Sequence, residues 1–243
     1  MSAYWLRYVF SSVLLCLSTL SVAHAGVLID GTRIVYPAKE REVTIKLTNK
    51  GQVPVLMQIW VDRGDPQSKA QDADAPFLAT PPIFRLDPQK GQSVRLTFTG
   101  EALPQERESL FWFNALEIPP LPQDTGANMM QIAVRSRLKL FYRPSGLPAD
   151  LPKAIEQVTW HVQHQGDGYV LRGENPSPYH LSFSALSLEQ GGRLTDTGGG
   201  MIVPFSHRDF PLPSYSGDTG DGKVRFRWMS DFGAAPEQTA RLR

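Results

Sequence analysis

Apolar and polar residues alternate with a period of two along most of this chain. Val43, Ile45 and Leu47 stand against Glu42, Thr44, Lys46 and Thr48. Val55, Met57, Ile59 and Val61 follow, and Val94, Leu96 and Phe98 alternate with Ser93, Arg95 and Thr97. Successive side chains of a strand project to opposite faces, so each run predicts a strand with one buried and one solvated face. Turn signals separate the runs: Asn49-Lys50-Gly51, Asp62-Arg63-Gly64-Asp65-Pro66, Asp87-Pro88 and Lys90-Gly91. No long stretch carries the apolar period of a helix. Short strands without helical crossovers predict an all-β, antiparallel sandwich.

Two segments depart from clean alternation. Phe111 to Ile118 is almost wholly apolar. Such a strand is covered on both faces, and Pro119-Pro120 ends it. Met129 to Tyr142 reads as one long strand. Long neighbouring strands with apolar outward faces signal a partner. Arg143-Pro144-Ser145-Gly146-Leu147-Pro148 breaks the pattern and divides 26–147 from 148–243. The second part reads as strands at Val158–Val162, Tyr169–Leu171, Leu181–Phe183, Met201–Val203 and Val224–Trp228. Glycine-rich turns are expected at Gly198–Gly200 and Gly217–Gly222. Pro81-Pro82 and Pro119-Pro120 are candidate sites for a cis bond.

The N-terminus reads as an address. Arg7 precedes an apolar run from Val9 to Leu20, and Ala23-His24-Ala25 supplies a small-x-small cleavage pattern. Residues 1–25 are therefore expected to be a cleaved signal peptide, with export of a chain starting near Gly26. The apolar run is short for an uncleaved anchor. Leu15 is too bulky before Cys16 for lipoprotein processing. Cys16 is the only cysteine, so the mature chain has none. Disulfides, thiolate nucleophiles and cysteine-held zinc are thereby excluded. Loss of Arg7 leaves equal numbers of basic and acidic residues. A nucleic-acid partner held by bulk charge is excluded too.

Catalytic and metal chemistry find no support. There is no Gly-x-Ser-x-Gly and no His-Glu-x-x-His, so no enzyme is expected. The mature histidines are His161, His164, His180 and His207. His161 and His164 fall on opposite faces of a strand, which argues against a shared metal. Asp218 and Asp221 read as an Asx turn rather than a calcium loop. Glu106 and Glu108 read as solvated or salt-bridged. No cofactor is implied. Arg33 and Lys139 stand out, each a cation among apolar neighbours. Two readings stay open for them: snorkelling or salt-bridged side chains, or a binding pair.

Several ordered motifs carry a family resemblance. They are Gly31–Pro37, Leu47–Asn49, Gln58–Trp60, Thr80–Leu86, Arg107–Asn114, Glu117–Pro120 and Leu138–Pro144 in the first part. Glu174–Tyr179 and Ser230–Gly233 follow in the second. Together they resemble the periplasmic chaperones of chaperone–usher pilus assembly. The resemblance implies two immunoglobulin-like β-sandwich domains at an angle, with a cleft between them. It implies a non-enzymatic, periplasmic protein whose partners are pilin subunits and an outer-membrane usher. It implies that a strand is lent to a pilin groove. Met130, Ile132 and Val134 would be the plugs on that strand. Gln131, Ala133 and Arg135 share its other face. Lys139 has the parity opposite to the plugs and would point towards the cleft. The resemblance assigns Arg33 and Lys139 to the pilin C-terminal carboxylate, and Glu108, Arg143 and Asp231 to an interdomain salt bridge. The short stretch from Pro120 to Gln131, without paired cysteines, resembles the short-loop subfamily.

Two other classes compete. A secreted sandwich module binding carbohydrate or another ligand would show loop aromatics and no long edge strand. A hydrolase on a sandwich lacks a nucleophile. An exposed apolar strand edge invites another chain, so the subunit-free protein is expected to self-associate weakly through residues 130–140. Sedimentation over a concentration series checks this. A strict monomer at the highest soluble concentration would count against it.

Overall fold

The computed structural model describes residues 26–121, 130–148, 150–213, 215, 217 and 221–243. The expected signal peptide, Met129 and Asp218 lie outside the described residues. The first part holds β1 (Val27–Ile29), β2 (Arg33–Pro37), β3 (Glu42–Asn49), β4 (Val55–Asp62) and β5 (Phe77–Thr80). These are followed by β6 (Ile83–Leu86), β7 (Gly91–Phe98), β8 (Ser109–Ile118) and β9 (Val134–Arg143). The strands form two facing sheets, ordered β1-β3-β7-β5 and β2-β9-β8-β4-β6. Leu47, Val94 and Leu96 from one sheet meet Met57, Phe113 and Leu140 from the other in one core. Tyr36 packs there against Phe77, Phe98 and Tyr142.

The second part opens with a helix, α1 (Leu151–Glu156), capped by the Asp150 side chain on the Lys153 amide. It continues through β10 (Thr159–Gln165), β11 (Gly168–Asn175), β12 (Leu181–Gln190) and β13 (Arg193–Ile202). Then come β14 (Ser206–Pro211), β15 (Lys223–Trp228) and β16 (Glu237–Arg241). The sheets are β10-β11-β14 and β13-β12-β15-β16. Trp160, Leu171, Leu181, Phe210 and Phe226 anchor a second core. The chain is thus two β-sandwiches, as the all-β reading expects.

Several elements differ from the sequence pattern, each for a local reason. Gly31–Tyr36 reads as the first strand, but β1 precedes it and joins the opposite sheet through β3, so Arg33 begins the second. β2 runs parallel to β9, from Arg33↔Lys139 to Pro37↔Arg143, so the sandwich is not purely antiparallel. α1 is too short to show a period, though Asp150 followed by Pro152 is an N-terminal signature. Gly198–Gly200 are not a turn but lie inside β13. A Cβ on Gly199 would stand 2.5 Å from the Phe183 carbonyl oxygen, beside a bulge in β12. On β8, Phe111, Phe113 and Ala115 face the core, while the Arg137 guanidinium covers Trp112 at 4.7 Å. Among the described residues the Thr80–Pro81 bond is cis.

The long strand expected from Met129 starts at Val134 instead. A strand exists where a ladder holds it. The last β8 partner is Glu117, opposite Val134, and Pro119-Pro120 beyond it cannot donate. On its other side β9 meets β2 only from Lys139 onward. One edge of Val134–Leu138 therefore has no strand neighbour among the described residues. Leu138, Leu140 and Tyr142 send their side chains into the core. Met130, Ile132 and Val134 share that parity, but are 87%, 66% and 54% exposed.

This contrast predicts two mutational outcomes. Leu140→Ala should destabilise the free protein by about 2–5 kcal/mol. Ile132→Asp should leave its stability within ~0.5 kcal/mol of wild type. Urea unfolding of both variants checks this, and a large loss from Ile132→Asp would place Ile132 in the chain's own core.

Candidate functional site

The parallel pairing of β2 with β9 sets Arg33 directly beside Lys139. Adjacent residues in register project to the same face, here the one turned away from the first core. That face meets the second sandwich. Arg33 Nη1 donates to the Met229 carbonyl at 3.0 Å, and its Nε is buried without a hydrogen-bond partner. Its guanidinium lies 5.8 Å from the Phe141 ring centre. Lys139 Nζ donates to Ser182 Oγ at 3.3 Å. Met229 and Ser182 both belong to the second sandwich, so the two cations line a cleft between the domains. Neither forms an ion pair among the described residues.

The electrostatics follow from that placement. Burial lowers the Arg33 value, and the charges of Asp231 and Glu108 offset this only in part. Burial lowers Lys139 to about 8, helped by the charges of Arg33 and Arg208. Two like charges, half-buried side by side, each disfavour the other's charged form. An anion between them would relieve both.

A third cation is satisfied. Arg143 Nε donates to Glu108 Oε1 at 2.8 Å. Its Nη1 and Nη2 donate to the two Asp231 oxygens at 2.7 and 2.8 Å. Its guanidinium sits 5.1 Å from the Tyr179 ring centre. Burial opposes the Arg143 charge, but the Asp231 hydrogen bonds and the charges of Glu108 and Asp231 outweigh it and hold the value above normal. The second Glu108 oxygen accepts the His180 amide at 2.8 Å and faces His180 Nδ1 at 3.3 Å. The Glu108 amide donates to the Pro178 carbonyl at 3.0 Å. Glu108, Arg143 and Asp231 therefore meet in one cluster across the two sandwiches.

Sequence reasoning missed part of this. Of the two readings for Glu108, solvated or salt-bridged, the structure shows the second. Glu108 is 4% exposed, whereas Glu106 pairs at the surface with Arg107. No spacing signal marks His180 as a partner of Glu108, although it directly follows the Glu174–Tyr179 motif. The remaining histidines do not converge. His161 Nδ1 faces the Arg243 carbonyl, and His164 stands edge-on to Tyr169. Among the described residues no group of three or more metal-binding side chains forms.

Comparisons with known proteins match both sandwiches. The family model for the pili and flagellar-assembly chaperone PapD N-terminal domain matches residues 26–148. The model for the pili assembly chaperone PapD C-terminal domain matches 153–240. The probable fimbrial chaperone YadV of Escherichia coli K12 is 38% identical over 231 residues, 93% of this chain and 94% of its own. The crystal structure of YadV superposes with a TM-score of 0.78 at 40% identity, covering 90% of this chain and all of that one (100%). The Salmonella enterica SafB chaperone, solved in complex with the SafA pilin, gives a TM-score of 0.75 at 25% identity, covering 91% and 99%.

The lowered Lys139 value makes a signed prediction. Below about 8, folded and unfolded chains both hold the proton, and the folded one bears the cost of burying it. Between about 8 and 10.5 the folded chain releases a proton that the unfolded chain keeps. Lys139 then weighs less against folding, and stability rises with pH. Lys139→Met should therefore be more stable than wild type at neutral pH, and that advantage should shrink across this window. Urea midpoints of the two proteins at neutral and alkaline pH check it.

Proposed function

This chain belongs to the family of pilus assembly chaperones built from PapD-like N- and C-terminal domains, and we propose that it captures pilin subunits by lending them part of β9. The family is not enzymatic. On this reading the chaperone works in the periplasm, anchors the pilin C-terminal carboxylate on Arg33 and Lys139, and passes the subunit to an outer-membrane usher. That the SafB chaperone was solved with the SafA pilin supports a pilin as partner.

The observation that carries the reading is a pair of cations without an anion at the end of an open strand edge. Arg33 is the first residue of β2, and Lys139 lies opposite it. The edge from Val134 to Leu138 stops where β2 begins. A guest strand filling that edge would meet the start of β2 with its last residue beside both cations. Its carboxylate would then end the strand, running in the same direction as β9. Lys139 to Val134 spans about 17 Å of strand, enough for several side-chain pairs. The ladder supplies affinity, and the alternate side chains of Val134, Ile132 and Met130 supply selectivity. A two-residue slip keeps every side chain on its face, so a strand alone is ambiguous in register. A terminal carboxylate is unique in a chain and removes that ambiguity. Arg33 offers it a planar fork and Lys139 a point charge.

The test uses a synthetic peptide of a pilin C-terminal strand, as free acid and as amide. Arg33→Ala or Lys139→Ala should weaken the free acid by about 2–5 kcal/mol while the protein still folds. The amide should bind wild type as poorly as the acid binds those variants. Binding of the acid should also weaken as pH rises past about 8, because neutral Lys139 must regain a proton to hold the carboxylate. Equal affinity for acid and amide would leave the cations without an anchoring role.

A further inference from the structure

The lending strand has a mechanical problem. Val134–Leu138 has a ladder on one side only, and residues 130–133 precede the strand. A change of one residue in the local register, or a roll of the strand about its axis, would turn Ile132 and Met130 away from a guest. The core fixes Leu138, Leu140 and Tyr142. It does not fix Val134, which is exposed. If the strand root is held, the hold must come from its other face.

That face carries Arg135 and Arg137, and both converge on one carboxylate at the end of β4. Asp62 is 1% exposed. Arg137 Nη2 lies 2.9 and 3.2 Å from its two oxygens, and Arg135 Nη2 lies 3.7 Å from Oδ2. The Nε atoms of both arginines donate to Asn114 Oδ1, at 2.9 and 3.1 Å. Asn114 Nδ2 in turn donates to Asp62 Oδ2 at 2.7 Å. Arg135 Nη1 donates to the Pro66 and Ser68 carbonyls, and Arg137 Nη2 to the Asp65 carbonyl. Asp62 also accepts the Ser68 hydroxyl at 2.6 Å and the Gly64 amide at 2.7 Å. The two guanidinium groups rest on Trp60 and Trp112, at 5.0 and 4.7 Å from the ring centres. Burial opposes the Asp62 charge, but hydrogen bonds from Ser68, Asn114 and Gly64, with the Arg137 charge, hold the carboxyl below its ordinary value.

From this arrangement we infer that Asp62 is a positioning residue for subunit capture. Through Arg135 and Arg137 it holds the root of β9, so that Val134, Ile132 and Met130 meet the guest groove in one orientation. The inference rests on the capture reading above. A need for stability alone does not explain the cluster. Well-packed apolar residues serve a fold at least as well as a buried ion network, whereas a forked network fixes geometry. Both arginines lie within three residues of Val134 on an edge with no second ladder. Directional bonds matter most there.

A double-mutant cycle tests the inference, using Asp62→Asn, Ile132→Ala, their combination and the free-acid pilin peptide. In the wild-type background Ile132→Ala should weaken binding about tenfold. In Asp62→Asn it should weaken binding less than about twofold, since an unaimed side chain has little to lose. Amide exchange at Val134–Leu138 should quicken in Asp62→Asn while β3 and β7 keep their protection. A purely structural role would give equal Ile132→Ala losses in both backgrounds, and that result overturns the inference, as does unchanged exchange at Val134–Leu138. If Asp62→Asn does not fold, Arg137→Gln takes its place, leaving Asp62 bonded to Ser68, Asn114 and Gly64. Failure of wild type to bind the peptide would sink the capture reading instead. The exchange comparison would still decide whether Asp62 holds the strand root.

Discussion

Arg143 spends its whole fork on two carboxylates from different sandwiches, and the cleft depends on how it does so. Both oxygens of Asp231 go to Arg143. Asp231 thus reaches Arg33 only as a through-space charge. Had Asp231 turned to Arg33 instead, the cleft would hold a closed ion pair in place of an unpaired cation. The same fork seats the loop that carries Asp231. From that loop the Met229 carbonyl meets Arg33. Interdomain contacts of ordinary size permit relative motion by default. A buried, forked ion cluster resists it, because breaking one partner leaves an uncompensated charge at about 3–5 kcal/mol. Glu108 extends the resistance by taking the His180 amide with its second oxygen.

β9 divides its labour by parity and by position. Even positions from Leu138 to Tyr142 build the core. Even positions from Met130 to Val134 continue the same face beyond that core and stand exposed. Odd positions from Arg135 to Lys139 carry cations, but of two kinds. Arg135 and Arg137 are committed to Asp62 and Asn114, while Lys139 meets only a serine hydroxyl. A period of two makes this possible in ten residues, since one strand shows two independent surfaces. It also explains why the apolar face does not close on itself. The core ends where β8 runs into Pro119-Pro120.

Legibility from the sequence followed the range of the interaction. Alternation is local, so the strands around Val43, Val55 and Val94 could be read directly. Where a strand starts is set by its neighbour's hydrogen bonds, and β9 was overshot for that reason. The parallel pairing of β2 with β9 joins residues more than a hundred positions apart, and periodicity holds no record of it. Gly198–Gly200 look like a turn because their true constraint, the Phe183 carbonyl beside Gly199, is on another strand. The site shows the same split. Arg33 and Lys139 could be singled out as cations among apolar neighbours, yet their adjacency could not. Local pattern does not separate a salt-bridged Glu108 from a solvated one, because its partners Arg143 and His180 are distant in sequence. Asp62 looked like a turn residue because it opens Asp62–Pro66, and nothing local announces two arginines on it.

The two cleft cations, buried to a similar degree, respond to burial differently. Arginine stays charged at any degree of burial this site imposes, so Arg33 can sit against Phe141 with one nitrogen unbonded and still present a full charge. Lysine is softer. Its value here has already come down to about 8, so at neutral pH it is protonated with little margin. Deeper burial would strengthen each contact with a guest anion but would carry the free-state value below neutral and remove the charge. Shallower burial would keep the charge but let water screen it. The intermediate depth leaves Lys139 charged yet poorly solvated. On the proposed reading, an incoming carboxylate would restore solvation the fold has withheld, and a groove-filling segment without a terminal anion would not. On the proposed capture reading, discrimination between a chain end and a chain middle would arise from how much water the second sandwich removes from β9, which in turn is set by the Arg143 cluster that seats it.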